Sequence, residues 1–229
     1  VNKKIIFNDE IDSEELAPSE QVNTRVIMTE PELRILGLYG EVEEIKISQV
    51  IGSLIEMSSV LDSESDSKSK NDLPSDLNDE SVEKNEESNS LGKPIEFIIS
   101  TPGGSADDMF ALYDIMRVVR DRCDLVTYGI GKVMSAGVLL LAAGTKGKRK
   151  IGKNCRVMIH SVVAGSSGSF HSLETEMSEI RHTQNAYIKA LSEETSMTYS
   201  QLKRMIDKKV NVYLSAEEAV KLGIADVIV

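Results

Sequence analysis

One hydroxyl stands in a run of small and apolar residues in this chain: Ser135, in the stretch GKVMSAGVLLLAAG from Gly131 to Gly144. It follows a β-like stretch and opens a helical one, and that place suits two kinds of chemistry. As an N-cap, its oxygen would accept from a backbone N–H in the first helical turn. As a nucleophile, it would have its own and the next backbone N–H aimed at a developing negative charge. Taken alone, Ser135 leaves both open.

A serine nucleophile needs a base, and the chain has three histidines. His171 and His182 flank a long amphipathic helix or lie on its polar side, as surface residues do. His160 ends the apolar stretch CRVMIH, at the strand edge where α/β sites assemble. The turn STPGGSADD, Ser100 to Asp108, also joins a strand to a helix, and its two glycines leave backbone N–H groups bare for an oxyanion or a peptide. Adjacent glycines are first of all a turn signal. Together, however, Ser135, His160 and the Gly-Gly turn lie at the ends of core strands, and this convergence favours a nucleophile.

The elements that must hold these residues alternate. RILGLYG (Arg34–Gly40), IEFIIS (Ile95–Ser100), DLVTYGI and CRVMIH (Cys155–His160) read as short buried strands. Between the first two, Ile45, Ile47, Val50, Ile51, Leu54 and Ile55 recur at helical spacing. A second helix over Ala106–Arg122 gathers Met109, Leu112, Tyr113, Met116 and Val119 on one face. A third, Ser172–Ser192, carries a stripe of Leu173, Met177, Ile180, Tyr187, Ile188 and Leu191. Near the end, Ser215 and Glu218 form a capping box, and ADVIV can close the sheet. Repeated β–α units predict an α/β core with helices on the sheet faces.

Composition narrows the function. The net charge of −11 is wrong for a protein that must displace counterions from nucleic-acid phosphates. No apolar run is long enough to span a bilayer, and the first residues lack a signal-peptide core, so no membrane partner and a soluble, cytoplasmic or equivalent intracellular setting are expected. Cys123 and Cys155 show neither disulfide nor zinc spacing and read as free thiols. From Asp62 to Ser90 the chain holds ten acidic residues, three lysines and eight serines, a segment charge of −7 that leaves −4 for the rest. Such a segment buries too little apolar area to offset its ordering entropy and is expected to be a disordered insertion, residues 62–90.

The blocks IISTPGGSADDMFALYDIMR, GKVMSAGVLLLAAGTKGKR, CRVMIH and YLSAEEAVKLGIADVIV resemble, in order, the ClpP family of self-compartmentalising serine peptidases. The likeness covers residues 34–229 apart from the insertion, with residues 1–33 as an N-terminal segment and candidate gate region. It implies a ClpP/crotonase-type α/β fold with a protruding handle helix at Ser172–Ser192. It implies Ser135 as nucleophile, His160 as general base, and the N–H groups of Gly104 and Ala136 as oxyanion donors. A peptide substrate would be added as a strand between Gly103, Ser105 and the segment Ser161, Val162, Val163 and Ala164. No metal or organic cofactor is implied. The expected assembly is a homo-oligomeric heptameric ring, stacked as a tetradecamer. Peptides and unfolded proteins would be its substrates, fed by a separate AAA+ unfoldase, because the chain has no P-loop signature.

Some positions depart from the family. Asn211 stands where the triad aspartate is usual, with Asp207 four residues earlier as the competing carboxylate, and Val210–Asn211 replaces an Arg–Asp pair. Glu96 and Lys150 fall where apolar or aromatic side chains usually receive the loops of an unfoldase. Alternative readings are a weakly active or structural subunit of a mixed ring, and a crotonase-type acyl-CoA enzyme. A Ser–Lys dyad through Lys132 is a minor variant that His160 makes unnecessary.

Overall fold

The computed structural model describes residues 33–68, 92–208 and 210–229. Strand β1 (Ile35–Tyr39) lies parallel to β2 (Gly92–Thr101), β2 to β3 (Cys123–Met134), β3 to β4 (Lys150–Ile151) and β4 to β7 (Val227–Ile228). β3 is long enough to serve two neighbours on one side. Its Tyr128 and Gly129 pair with β4, while Lys132, Val133 and Met134 pair with Arg156, Val157 and Met158 of β5 (Arg156–Ile159). The remaining strand, β6 (Val212–Leu214), runs antiparallel to β5.

The helices follow from their apolar faces. α1 (Glu44–Lys68) buries Ile47, Val50 and Leu54, and α2 (Ala106–Arg120) buries the five residues that periodicity places on one side. Ser105 caps α2 by accepting from the Asp108 N–H at 3.2 Å. α3 (Ala136–Ala142) is buried along its whole length, as its unbroken small and aliphatic sequence requires. α4 (Phe170–Glu194), α5 (Tyr199–Asp207) and α6 (Ala216–Lys221) complete the order, and α6 carries the expected capping box of Ser215 and Glu218. The expected α/β architecture is present: a largely parallel sheet with helices packed on it, whose β2 alternates buried residues with part-exposed ones, so that one face turns to the core.

Several boundaries differ from expectation. β3 runs past Ile130 to Met134 because β5 supplies partners for its second half. α2 stops at Arg120, with Asp121 as its C-cap, and α4 starts at Phe170, where Ser169 accepts from the Ser172 N–H. α1 continues through Asp62–Lys68, inside the segment expected to be disordered, since extending a formed helix costs little per residue. Residues 69–90 of that segment and residues 1–32 of the N-terminal one lie outside the described residues.

α4 has two unlike halves. Its C-terminal half buries Tyr187, Ile188, Ala190, Leu191 and Glu194. In its N-terminal half, Phe170 and, of the apolar stripe, Leu173 and Met177 are exposed, as expected for a protruding handle. The rooted end is held by charge. Arg120 makes two bonds to the Glu194 carboxylate, at 2.8 and 2.9 Å, and the Tyr113 hydroxyl donates to it at 3.0 Å. Burial pushes this carboxyl up, but the Arg120 bonds and charge, the Tyr113 bond and the Lys146 charge together outweigh it and hold it below its ordinary value.

Candidate active site

The end of β3 delivers Ser135 to the surface in an unusual backbone state. It is the one non-glycine residue of positive φ among the described residues, at φ 53° and ψ −121°. Such a conformation costs on the order of 1–3 kcal/mol and persists only where the surroundings enforce it. Here the Ser135 N–H donates to the Met158 carbonyl of β5 at 2.8 Å. The Ser135 carbonyl accepts from the Val138 N–H at 3.0 Å and from the Tyr187 hydroxyl at 2.9 Å. Although Ser135 precedes α3, its side chain makes no capping bond. The N-cap alternative therefore fails on geometry, and the hydroxyl is left to the cleft.

That cleft has a volume of about 440 Å³. It brings together Gly103, Gly104, Ser105, Ser135, Ala136, His160, Ser161, Val162 and Val163. Ala164, Asn211 and Lys132 do not line it. Position alone offered Ser135 two oxyanion donors, its own N–H and the next, and the structure corrects this: the Ser135 N–H is spent on Met158, leaving Ala136. Across the cleft, the Gly104 N–H has no backbone acceptor among the described residues, because the bridge to Val42 uses the Gly103 carbonyl and the Ser105 N–H on either side of it.

The glycines are required by contact. A Cβ on Gly103, at φ 100°, would fall 2.5 Å from Ser135 Cβ and 3.1 Å from its Oγ. One on Gly104 would fall 2.2 Å from the Val42 carbonyl oxygen. The turn therefore runs with bare backbone directly beside the serine.

His160 follows the last residue of β5 and is half-buried. No hydrogen bond joins it to Ser135, Asn211 or Asp207 among the described residues. β5 and β6 pair up to Ile159 and Val212, so His160 and Asn211 are each one residue beyond that last rung, on neighbouring strands. Asn211 is exposed. Asp207 sits in the last turn of α5, bonded to Lys203 one helical turn earlier at 2.9 and 3.2 Å. His171 is exposed on α4, and His182 lies further along the same helix.

Six further residues line the cleft without standing out in the sequence as site residues: Pro102 and Ala106 of the Gly-Gly turn, and Glu41, Met109, Thr183 and Tyr187. Met109 and Tyr187 were legible only as core-stripe positions. The usable signal was the Tyr187 hydroxyl, since a buried tyrosine generally needs a partner for its O–H.

Two other features bear on partners and cofactors. On the surface, Glu96, Tyr128 and Lys150 form one polar cluster. Tyr128 donates to Glu96 at 3.4 Å, and the Lys150 ammonium donates to the Tyr128 hydroxyl at 2.7 Å while lying 4.6 Å from its ring centroid. Among the described residues, no group of three or more His, Cys, Asp or Glu could hold a metal ion, and no helix is long and apolar enough to cross a membrane. Cys123 and Cys155 are free and buried, and burial pushes the Cys155 thiol up to about 11.

The Clp protease family matches this chain over residues 43–229. Over 134 residues the chain is 36% identical to the ATP-dependent Clp protease proteolytic subunit 4, chloroplastic, of Arabidopsis thaliana, covering 58% of this chain and 44% of that protein. Over 141 residues it is 38% identical to the ATP-dependent Clp protease proteolytic subunit 2 of Prochlorococcus marinus (strain NATL2A), covering 61% of this chain and 68% of that one. The match thus spans less than half the length of the first relative and about two thirds of the second.

Proposed function

Because this chain belongs to the Clp protease family, we propose that it is a serine endopeptidase whose nucleophile is Ser135. The observation that carries this reading is the strained, uncapped Ser135 facing a cleft shared with His160 and two backbone N–H groups without backbone acceptors among the described residues. In the reaction, Ser135 Oγ attacks the scissile carbonyl carbon as His160 takes its proton. The carbonyl oxygen becomes an oxyanion that accepts from the Gly104 and Ala136 N–H groups. His160 returns the proton to the leaving amine as the C–N bond breaks. Water, deprotonated by His160, then attacks the ester carbonyl carbon, and His160 returns that proton to Ser135 Oγ as the ester C–O bond breaks.

Asn211 is the residue assigned to orient His160. An amide oxygen can accept from the imidazole and fix its tautomer, but it carries no charge to stabilise the imidazolium. The substrate backbone would enter as an added strand between Gly103–Ser105 and Ser161–Ala164, with Met109, Val162 and Val163 offering an apolar seat beside Ser135.

The exposed apolar residues of the outer half of α4 support assembly through that helix, in a heptameric ring stacked on a second. Protein substrates would need a separate ATP-dependent unfoldase. The Glu96–Tyr128–Lys150 cluster supports a docking surface selective against a purely aliphatic loop, because such a loop would desolvate charges without replacing their partners.

The test is Ser135→Ala, assayed on a small fluorogenic peptide with the assembly state followed by native mass. Turnover should fall by several orders of magnitude with assembly unchanged, and a fluorophosphonate should label the wild type alone. Equal turnover in the two proteins would overturn the reading.

A further inference from the structure

We propose that Tyr187 is a positioning residue for the oxyanion site, its hydroxyl holding the Ser135–Ala136 peptide so that the Ala136 N–H faces the cleft. The proposal rests on the peptidase reading above.

In a planar trans peptide, C=O and N–H point in opposite directions. The Ala136 N–H belongs to the same unit as the Ser135 carbonyl, so whatever fixes that oxygen also aims that hydrogen. The oxygen has two donors. The Val138 N–H, at 3.0 Å, comes from the first turn of α3 and moves with it. The Tyr187 hydroxyl, at 2.9 Å, comes from α4, 52 residues along the chain. It is the tie that fixes the peptide against a separate element.

Such a tie matters at Ser135, whose positive φ is unfavourable for a residue with a Cβ. Without an external restraint, the peptide can rock toward a less strained orientation and carry the N–H off the line of the developing charge. A donor on the carbonyl also polarises the peptide and strengthens the N–H as a donor.

The opposite wall is built the same way. There the Gly103 carbonyl accepts from the Val42 N–H at 2.9 Å and from Thr101 Oγ1 at 3.4 Å, and this unit ends in the Gly104 N–H. Both proposed oxyanion donors therefore have their carbonyls held by groups outside their own peptide units. Tyr187 is the only side chain among the described residues that does this on the nucleophile wall. It is 5% exposed and lines the cleft, and burial pushes its phenol up, so that it stays a neutral donor.

The experiment compares Tyr187→Phe with wild type, since phenylalanine keeps the ring and removes only the hydroxyl. Three quantities are read: kcat and KM on the fluorogenic peptide, affinity for a peptide boronate that forms a tetrahedral adduct on Ser135, and Tm. A positioning role predicts kcat lower by about tenfold, less than the roughly 10²–10³ lost when an oxyanion donor is removed outright. KM should stay within about twofold and boronate affinity should fall in parallel with kcat. A lower Tm with kcat and boronate affinity unchanged would overturn the proposal and leave Tyr187 a packing residue. So would a rise in KM at constant kcat. If wild type itself turns over no faster than Ser135→Ala, the peptidase reading falls and takes this proposal with it. A serine-dependent wild type equalled by Tyr187→Phe removes this proposal alone.

Discussion

The two sides of the cleft are built to different standards. On the side of Ser135, the backbone is held at every step: its N–H by Met158, its carbonyl by Val138 and Tyr187, and the facing Gly103 carbonyl by Val42. On the side of His160, the strand has ended, the neighbouring Asn211 is exposed, and no hydrogen bond fixes the imidazole among the described residues. Nucleophile and oxyanion donors depend on backbone direction, which a sheet and a packed helix can set within one chain. The base depends on a side-chain rotamer, which is set only by partners. On the proposed reading, the difference teaches that one chain can organise transition-state binding through its backbone while leaving proton transfer the less constrained step.

The largest expected effect comes from disturbing the held side. Gly103→Ala puts a methyl group against Ser135 Cβ at a φ that L-residues avoid. Displacing the serine should lower kcat by about 10²-fold, the scale of an ångström-sized misplacement. Peptide turnover and Tm measured together check this, and full activity at unchanged Tm would mean that the turn can move away without consequence.

A smaller effect, opposite in sign, is expected on the loose side. Asn211→Asp should raise kcat at least about tenfold. The ceiling is the factor of roughly 10⁴ by which the reverse change, Asp to Asn, slows a chymotrypsin-type Ser-His-Asp triad. Asp207→Ala should leave kcat near wild type, because the Asp207 carboxylate is already engaged by Lys203 on the exposed end of α5. Measuring the two variants side by side decides between them. No gain in the first with a large loss in the second would move the orienting role to Asp207.

The smallest effect tests the root of α4, on which the position of Tyr187 depends. The Glu194 and Asp226 carboxyls are both held below their ordinary values of 4.5 and 3.8. In each, burial acts upward, and bonds and charge from Arg120 for Glu194 and from Arg149 for Asp226 outweigh it. With the folded-state pKa below the unfolded one, the unfolded chain takes up protons first. The stability these groups contribute is thus complete above the ordinary carboxylate range and is lost as pH falls through it toward their folded values. Tm should drop by a few degrees between about pH 5 and 3, at about 2–4 °C per kcal/mol for a chain of this size. Glu194→Gln should be less stable at neutral pH, with a shallower acid slope, as thermal melts across that range would show. An identical slope in the variant would mean that Glu194 does not carry the acid sensitivity.

Much of this molecule was legible in the residue order. The period-2 and period-3.6 runs locate the main strands and helices, and helical spacing names every residue of the buried face of α2. Ser135, His160 and the Gly-Gly turn stand out in the chain because strand ends, bare backbone and a lone hydroxyl are local features. The pairing of Asn211 with His160 rests on a resemblance, and the register of β5 and β6, which ends at Ile159 and Val212, sets the two residues one position past the same rung.

What the sequence determined by itself, then, was which residues face inward and where backbone must stay bare, since both follow from side-chain size and spacing within a segment. Tertiary structure alone decided which inward faces meet. Periodicity puts Tyr187 and Met177 on one stripe of one helix, yet the first is buried with its hydroxyl on the Ser135 carbonyl and the second is half exposed on the outer arm. Likewise, nothing near Ser135 in the chain announces that its N–H is consumed by Met158 and its neighbour's left open. The physical reason is that a pattern reports the environment a residue prefers, whereas a hydrogen bond between positions 52 residues apart depends on how helices pack across the sheet.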